Sequence, residues 1–342
     1  MTPKADGPLL AVSNLRTVFP VAGGEAAAVD GVSFVVGRGE TLGLVGESGS
    51  GKSVTALSIM RLVSPPGRIA EGRIELEGRD LLQMEEREMQ AIRGRRIGFV
   101  FQEPMVALDP VFTIGYQIAE TIAVHRLARG ASARSRAVEL LQAVRIPDPE
   151  RRAREYPHQL SGGLRQRAMI ALALSADPAL LIADEPTTAL DVTVQAEILD
   201  LLRDMRRSFN LSLLLITHDL GVVAEMADRV AVMYGGRIVE EGPVPRVFAT
   251  PAHPYTRGLL ASIPTGAPGT RLHAIPGNVP ALGQLPAGCA FAPRCVDRFA
   301  PCTERQPELV DIGPGHAARC LLHDPAARQL PGPATGPAGA PR

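Results

Sequence analysis

The chain has 342 residues, 45% of them hydrophobic, enough to fill a sizeable core in one large domain or two ordinary ones. Lysine plus arginine and aspartate plus glutamate each total 36, so no net positive field draws a polyanion, and nucleic acid is not an expected partner. The N-terminal MTPKADGPLL lacks a basic segment followed by an apolar stretch and cleavage site, and no run approaches ~18 uncharged apolar residues; the expectation is a soluble chain whose membrane role comes through a partner.

In chain order, LAVSNLRTVF, AAVDGVSFVV and ETLGLVG between Leu10 and Gly46 are short β-runs separated by Gly-rich turns. They predict a small antiparallel layer leading into a buried strand. A helix is predicted from Gly51 through Leu62, and a buried strand over Ile97 to Pro104 (IGFVFQEP) ending at a polar loop. From Thr113 to Leu174 the periodicity turns helical, with IGYQIAETIAVHRLA, ARSRAVELLQAV and GLRQRAMIALAL as three helices of an insertion. Alternation then resumes as strand ALLIAD, helix VQAEILDLLRDMRRSF, strand LSLLLITHD, helix GVVAEMADRV and strand AVMYGGRIVEEG, an order that implies a parallel sheet covered by helices. After about Pro245 the chain is rich in Pro and Gly and reads as a separate appendage, and LPGPATGPAGAPR reads as a disordered tail. No internal repeat occurs, so one nucleotide-binding unit is expected.

The segment GESGSGKS matches G-x-x-x-x-G-K-[ST] at Gly46, Gly51, Lys52 and Ser53, after the apolar strand TLGLV and before a helix. Its glycines let backbone N–H groups from Gly46, Glu47, Ser48, Gly49, Ser50 and Gly51 through Val54 wrap phosphates. The helix N-terminus adds positive charge, Lys52 reaches the β- and γ-phosphates of ATP, and Ser53 offers its hydroxyl to Mg²⁺. ALLIADEP supplies the complementary half: Asp184 at the end of an apolar strand for the Mg²⁺ shell, and Glu185 to polarise an attacking water. His218, at the end of the next strand in LLLITHD, is positioned to sense the γ-phosphate.

LSGGLRQR, from Leu160 to Arg167, resembles the signature motif of the ABC ATPase family. Gln102 in FVFQEP resembles that family's Q-loop, Asp191 in TALD its D-loop and His218 its switch histidine, all in family order. Leu164 departs from the pattern, standing where the family usually carries Gln or Met. The resemblance implies an α/β P-loop NTPase fold of the ABC ATPase type, with an antiparallel β layer, a RecA-like parallel sheet core and a helical subdomain. It also implies a head-to-tail dimer in which Ser161, Gly162, Gly163 and Asp191 complete the ATP site of the opposite subunit. Gln102 is implied as a third Mg²⁺ contact, with Ser53 and Asp184, that couples the γ-phosphate to the helical insertion. Glu185, His218, Gln102 and Lys52 are the implied catalytic set. Phe19 is the nearest aromatic to stack on adenine, with packing in the first β layer as its competing role.

All four cysteines, Cys289, Cys295, Cys302 and Cys320, fall in one C-terminal segment with the spacing C-x₅-C-x₆-C-x₁₇-C. Disulfides are disfavoured in a reducing compartment. Structural Zn²⁺ usually takes short C-x₂₋₄-C pairs, whereas a [4Fe–4S] cluster accepts wider loops, and spacing alone leaves the two nearly even. PAHPYTRGLLASIP with NVPALGQLPAGCAFAPRC resembles the C-terminal extension of oligopeptide and dipeptide permease ATPase subunits, in which this motif is associated with a [4Fe–4S] cluster. Val296 departs from the proline that often follows the second cysteine there.

The resemblance thus implies the motor subunit of an ABC importer at the cytoplasmic face of the cell membrane. Its implied partners are two membrane-spanning permease subunits, a second ATPase subunit forming a heterodimer and, indirectly, an extracytoplasmic peptide-binding protein. The expected division is a nucleotide-binding domain over 8–245 with a helical subdomain at about 105–175, an extension over 246–325, and a tail over 326–342. Related systems with this extension carry nickel, glutathione or other solutes. A non-transport ABC ATPase acting on DNA or ribosomes is the rival class. Ser53 and Ser161 are only 108 residues apart, too close for the long coiled coils or zinc modules of the DNA-acting members, and ribosome-acting members carry two units per chain.

Overall fold

A computed structural model describes residues 7–263 and 274–328. The described strands are β1 (Leu10–Val21), β2 (Gly24–Val36), β3 (Thr41–Val45), β4 (Arg68–Leu76), β5 (Arg79–Asp80), β6 (Ile97–Val100), β7 (Leu180–Asp184), β8 (Ser212–Thr217), β9 (Arg229–Tyr234), β10 (Arg237–Pro243), β11 (Val310–Gly313) and β12 (His316–Ala318). They form two sheets. One is antiparallel in the order β2-β1-β4-β5; the other has the order β11-β12-β10-β9-β3-β8-β7-β6. From β9 to β6 every pairing is parallel, while β10, β12 and β11 pair antiparallel at one edge.

The apolar runs explain this arrangement. TLGLV, LLIAD and SLLLIT are buried along their whole length, as strands covered on both faces must be. On one face lies the antiparallel sheet with the Lys52–Ile59 helix, and Leu15, Phe34, Leu44, Ile59 and Leu214 share its core. On the other face, the helices Ile114–Val124, Gly130–Ala143 and Gly162–Leu174 join Ile118, Leu141 and Ile170 into a second core. Three boundaries differ from those expected. The first helix stops at Ile59, ahead of Arg61 in the left-handed region and the Pro65-Pro66 pair. The strand from Ile97 ends at Val100, and Pro104 opens a short helix. AVMYGGRIVEEG is a hairpin rather than one strand, because Gly235 and Gly236 both hold positive φ (55° and 79°).

The C-terminal region is not the separate appendage its composition suggested. β12 pairs Ala318 with Glu240 and Ala317 with Glu241, extending the central sheet beyond the β10 edge. Tyr255 and Phe291 join Tyr234, Val230 and Val232 of β9 in a common apolar core. Glu240 at this junction is fully buried, its carboxylate accepting from the backbone N–H groups of Ala252 and His253 and paired with His316 Nε2, each at 2.8 Å. The tail expected from 326 opens within a helical turn, Pro325–Arg328, where Ala327 packs with Cys302 and Leu321; the remainder of that tail lies outside the described residues. No helix among the described residues is long and apolar enough to cross a membrane.

Removing one member of a buried hydrogen-bonded network strands the others. Glu240→Ala is therefore expected to cost about 3 kcal/mol, read as a lower urea midpoint, with amides of Val310–Ala318 losing exchange protection before those of β3.

Candidate active site

The phosphate-binding loop joins β3 to the Lys52–Ile59 helix, at the carboxyl ends of the parallel strands. Two of its glycines are sterically required. A Cβ on Gly46 (φ 155°) would lie 2.2 Å from the Met233 carbonyl oxygen, and one on Gly51 (φ 102°) would lie 2.4 Å from that of Ala28. Lys52 is 5% exposed, and its ammonium donates to the carbonyl oxygens of Gly46 (2.7 Å) and Glu47 (3.1 Å). Burial lowers its pKa from the usual lysine value, opposed by the charges of Glu185, Asp184 and Glu47.

The loop from Gly46 to Val54 lines a cavity of about 790 Å³ together with Gln102, Glu185 and His218. Glu185 follows β7 in the left-handed region (φ 46°), an uncommon backbone state for a carboxylate residue and one that concentrates at functional sites. Its carboxylate accepts from Thr188 Oγ1 at 2.8 Å and from Gln102 Nε2 at 3.4 Å, lies 3.3 Å from His218 Nδ1, and stands 3.9 Å from Lys52 Nζ. Three residues far from it in sequence, Lys52, Gln102 and His218, thus meet on one carboxylate. Asp184 sits deeper, accepting from the Ser53 hydroxyl at 3.1 Å; burial raises its pKa above the usual carboxylate value, with the Ser53 hydrogen bond opposing. Both are oxygen donors of the kind Mg²⁺ takes.

Ser161, Gly162, Gly163 and Asp191 do not line this cavity. Ser161 caps the Gly162–Leu174 helix, and Ser161, Gly162 and Asp191 are exposed. Leu164 packs on the core beneath the helical layer, so the departure from the signature pattern is an apolar contact. Phe19 lines an adjoining cavity of about 400 Å³ that shares Ser48, Gly49, Gly51 and Val54 with the first, and its ring packs against Gly67.

The C-terminal region contributes residues that the motifs did not indicate. Leu259, Asn278 and Val279 line the main cavity, and Pro280 to Leu282 with Leu285 line the adjoining one. Tyr255 Oη accepts from the Glu47 backbone N–H at 2.8 Å, and Arg294 forms a two-pronged ion pair with the Glu47 carboxylate. No spacing rule marks these contacts, although Arg294 stands directly before Cys295 in the quoted extension motif.

The four cysteines are free thiols lining one small cavity, which also touches His253 and Asp297. Burial raises the Cys289 thiol and pushes Cys295 up to about 11 and Cys320 up to about 12. Among the described residues no three His, Cys, Asp or Glu side chains form a group that could hold a metal ion.

Residues 29–188 match the family model described as ABC transporter, and residues 239–302 match that of the oligopeptide/dipeptide transporter C-terminal region. The chain is 53% identical over 318 residues to the oligopeptide transport ATP-binding protein AppD of Bacillus subtilis, covering 92% of this chain and 97% of that one. A Brucella melitensis protein provisionally named a peptide import ATP-binding protein is 54% identical over 327 residues, with the same coverage. Among solved structures, the dimeric post-hydrolysis state of the ATP-binding cassette MJ0796 bound to ADP and Pi is similar, with a TM-score of 0.62 and 28% identity; it covers 69% of this chain and 98% of its own. The CbiO1 component of the CbiONQ ABC transporter complex from Clostridium perfringens aligns with a TM-score of 0.61 and 28% identity, covering 71% of this chain and 92% of its own. A phosphate loop, a carboxylate at which lysine, glutamine and histidine meet, and these two matched regions together make the chain a member of the ABC transporter family, an ATPase subunit carrying the oligopeptide/dipeptide-type C-terminal region.

Proposed function

We propose that this chain is the ATP-hydrolysing motor of a peptide importer, peripheral to the cytoplasmic face of the membrane. The observation that carries the chemistry is the convergence of Lys52, Gln102 and His218 on the Glu185 carboxylate at the mouth of the phosphate loop. Glu185 accepts the proton of the attacking water, His218 and Gln102 orient around the γ-phosphate, and Lys52 exchanges loop carbonyls for phosphate oxygens. Ser53, Asp184 and Gln102 hold Mg²⁺, which would neutralise phosphate charge when bound with ATP. Ser161, Gly162, Gly163 and Asp191 act in trans on a second ATPase subunit, a role supported by the exposure of Ser161, Gly162 and Asp191 away from their own cavity. Phe19 stacks on adenine, a role supported by its lining of the adjoining cavity beside Gly49 and Gly51. Functionally the chain divides into a nucleotide-binding part over 8–245 and an extension over 246–325, although the two share a sheet.

Peptide as the cargo rests on the matched C-terminal region and on the names of the relatives. Two permease subunits receive the motion, and a peptide-binding protein acts on the far side of the membrane. The helical layer offers a receiving surface: a groove of about 990 Å³ between the Ile114–Val124 and Gly130–Ala143 helices, bordered by the stacked, exposed rings of Phe112 and Tyr116.

The four cysteines hold a [4Fe–4S] cluster, whose chemistry would be to cross-link four loops of the extension. All four thiols line one cavity, which supports a shared inorganic group, and the wide loops between them suit the cluster better than the short chelate pairs usual for Zn²⁺.

Glu185→Gln is expected to lower phosphate release by at least about 10²-fold while MgATP-dependent dimerisation on a sizing column persists; normal turnover would remove Glu185 as the general base. Replacing both Phe112 and Tyr116 by serine should reduce co-sedimentation with permease-containing membranes about tenfold. The hydrolysis rate of the detached subunit should stay within about twofold. Native protein purified without oxygen is expected to carry about four iron and four sulfide per chain; stoichiometric zinc without iron would exclude the cluster.

A further inference from the structure

We propose that Arg294, from the cysteine-bearing extension, is a positioning residue for the phosphate loop, fixing the Glu47 peptide so that nucleotide affinity depends on the extension in cis. This rests on the reading of the Gly46–Val54 loop as the ATP site.

Glu47 is the second residue of the loop, and its polar groups are tied from two sides. Its carbonyl oxygen faces Lys52 Nζ at 3.1 Å and also accepts from the Ser50 N–H at 3.2 Å, both within the loop region. Its N–H and its carboxylate face the extension. The N–H donates to Tyr255 Oη at 2.8 Å, and the carboxylate accepts from Arg294 Nη1 at 2.6 Å and Nη2 at 3.0 Å. The Glu47 N–H shares its peptide plane with the Gly46 carbonyl, which accepts from Lys52 Nζ at 2.7 Å, so holding that N–H on Tyr255 Oη fixes the direction of the Gly46 oxygen. Tyr255 therefore orients one of the two oxygens that Lys52 faces in the free site, and Arg294 anchors the side chain of the residue that supplies the other.

Arg294 is built to hold a position. Its side chain is 4% exposed; Nε donates to the Pro276 carbonyl at 2.8 Å, Nη1 also reaches Tyr234 Oη at 3.4 Å, and the guanidinium lies 5.7 Å and 5.9 Å from the ring centres of Tyr234 and Phe291. A planar fork matches a carboxylate in a way an ammonium cannot. The ring of Tyr255 packs edge-on to Tyr234 at 4.7 Å and tilted to Phe291 at 5.3 Å, so both extension contacts share one aromatic support. The short turn Ala292–Arg294 lies between Cys289 and Cys295, so the loop's brace is joined directly to a residue of the cysteine pocket.

The test measures the affinity of the full-length chain for a non-hydrolysable ATP analogue with Mg²⁺, alongside steady-state hydrolysis. The variants are Arg294→Ala, Arg294→Lys, Glu47→Gln and the Glu47→Gln/Arg294→Ala double. Arg294→Ala and Glu47→Gln are each expected to raise Kd about tenfold, with Arg294→Lys intermediate and the double variant no worse than either single. At saturating ATP, kcat should fall less than KM rises, a split that general loss of fold does not produce. Kd unchanged within about twofold in Glu47→Gln, or additive effects in the double variant, would overturn the inference. Glu47→Gln decides the question alone if Arg294→Ala does not fold, because it removes charge without removing core volume. Failure of the unmodified chain to bind the analogue would overturn the site assignment, and this inference with it.

Discussion

A lysine ammonium withdrawn from water needs oxygen atoms to face, and Lys52, 5% exposed, is withdrawn almost completely. The chain answers with two carbonyls of its own loop, which point inward because Gly46 and Gly51 adopt backbone states that a side chain would obstruct. The rest of the site is arranged around that fixed charge. Parallel strand order delivers the ends of β6, β7 and β8 beside β3, so Gln102, Glu185 and His218 arrive at the same edge from three chain segments. The left-handed Glu185 turns its carboxylate into the cavity, where Thr188 holds one oxygen. The phosphate of a bound nucleotide would therefore meet a site whose charges are already positioned, which is how electrostatic stabilisation avoids reorganisation at the moment of reaction.

Much of this was legible from residue order. TLGLV, ALLIAD and LSLLLITHD are apolar runs that read as buried strands, and site residues stand where they stop, at Gly46, at Asp184 and Glu185, and at His218. Motif and periodicity reinforce one another there because the chemistry sits where a strand stops. β4 escaped notice for the opposite reason. RIAEGRIEL is half-exposed, carries Arg68, Glu71, Arg73 and Glu75, and is broken by Gly72 at φ 111°, so its alternation is weak. Its pairing with β1, from Leu10 opposite Leu76, and with β5 makes it a strand.

Composition alone does not reveal how the extension packs. Proline and glycine counts say that a segment lacks long regular elements; they do not say whether it packs. Short pieces can be held by partners that local sequence does not name, and β12, three residues long, is held by β10 and by the buried Glu240–His316 pair. Tyr255 and Arg294 were likewise invisible, since their contacts with Glu47 span 208 and 247 positions. Tertiary contacts of that separation leave no periodic trace.

An edge strand exposes unpaired backbone groups, and a protein must pair or cover them. β10 is such an edge, and β12 pairs it. That pairing carries the extension back across the carboxyl end of the sheet, where Tyr234 at the end of β9 receives the rings of Tyr255 and Phe291. Closing the sheet and bracing the phosphate loop are consequently one packing event. Because interiors are close-packed, a displacement of the cysteine-lined turn cannot be absorbed locally: Arg294 is confined by two rings and a carbonyl, and Glu47 is the group it would carry along. The MJ0796 cassette aligns with 69% of this chain. The C-terminal extension is a wall of the nucleotide cavity through Asn278 and Val279 and a support for its loop through Arg294, rather than a module attached at a distance.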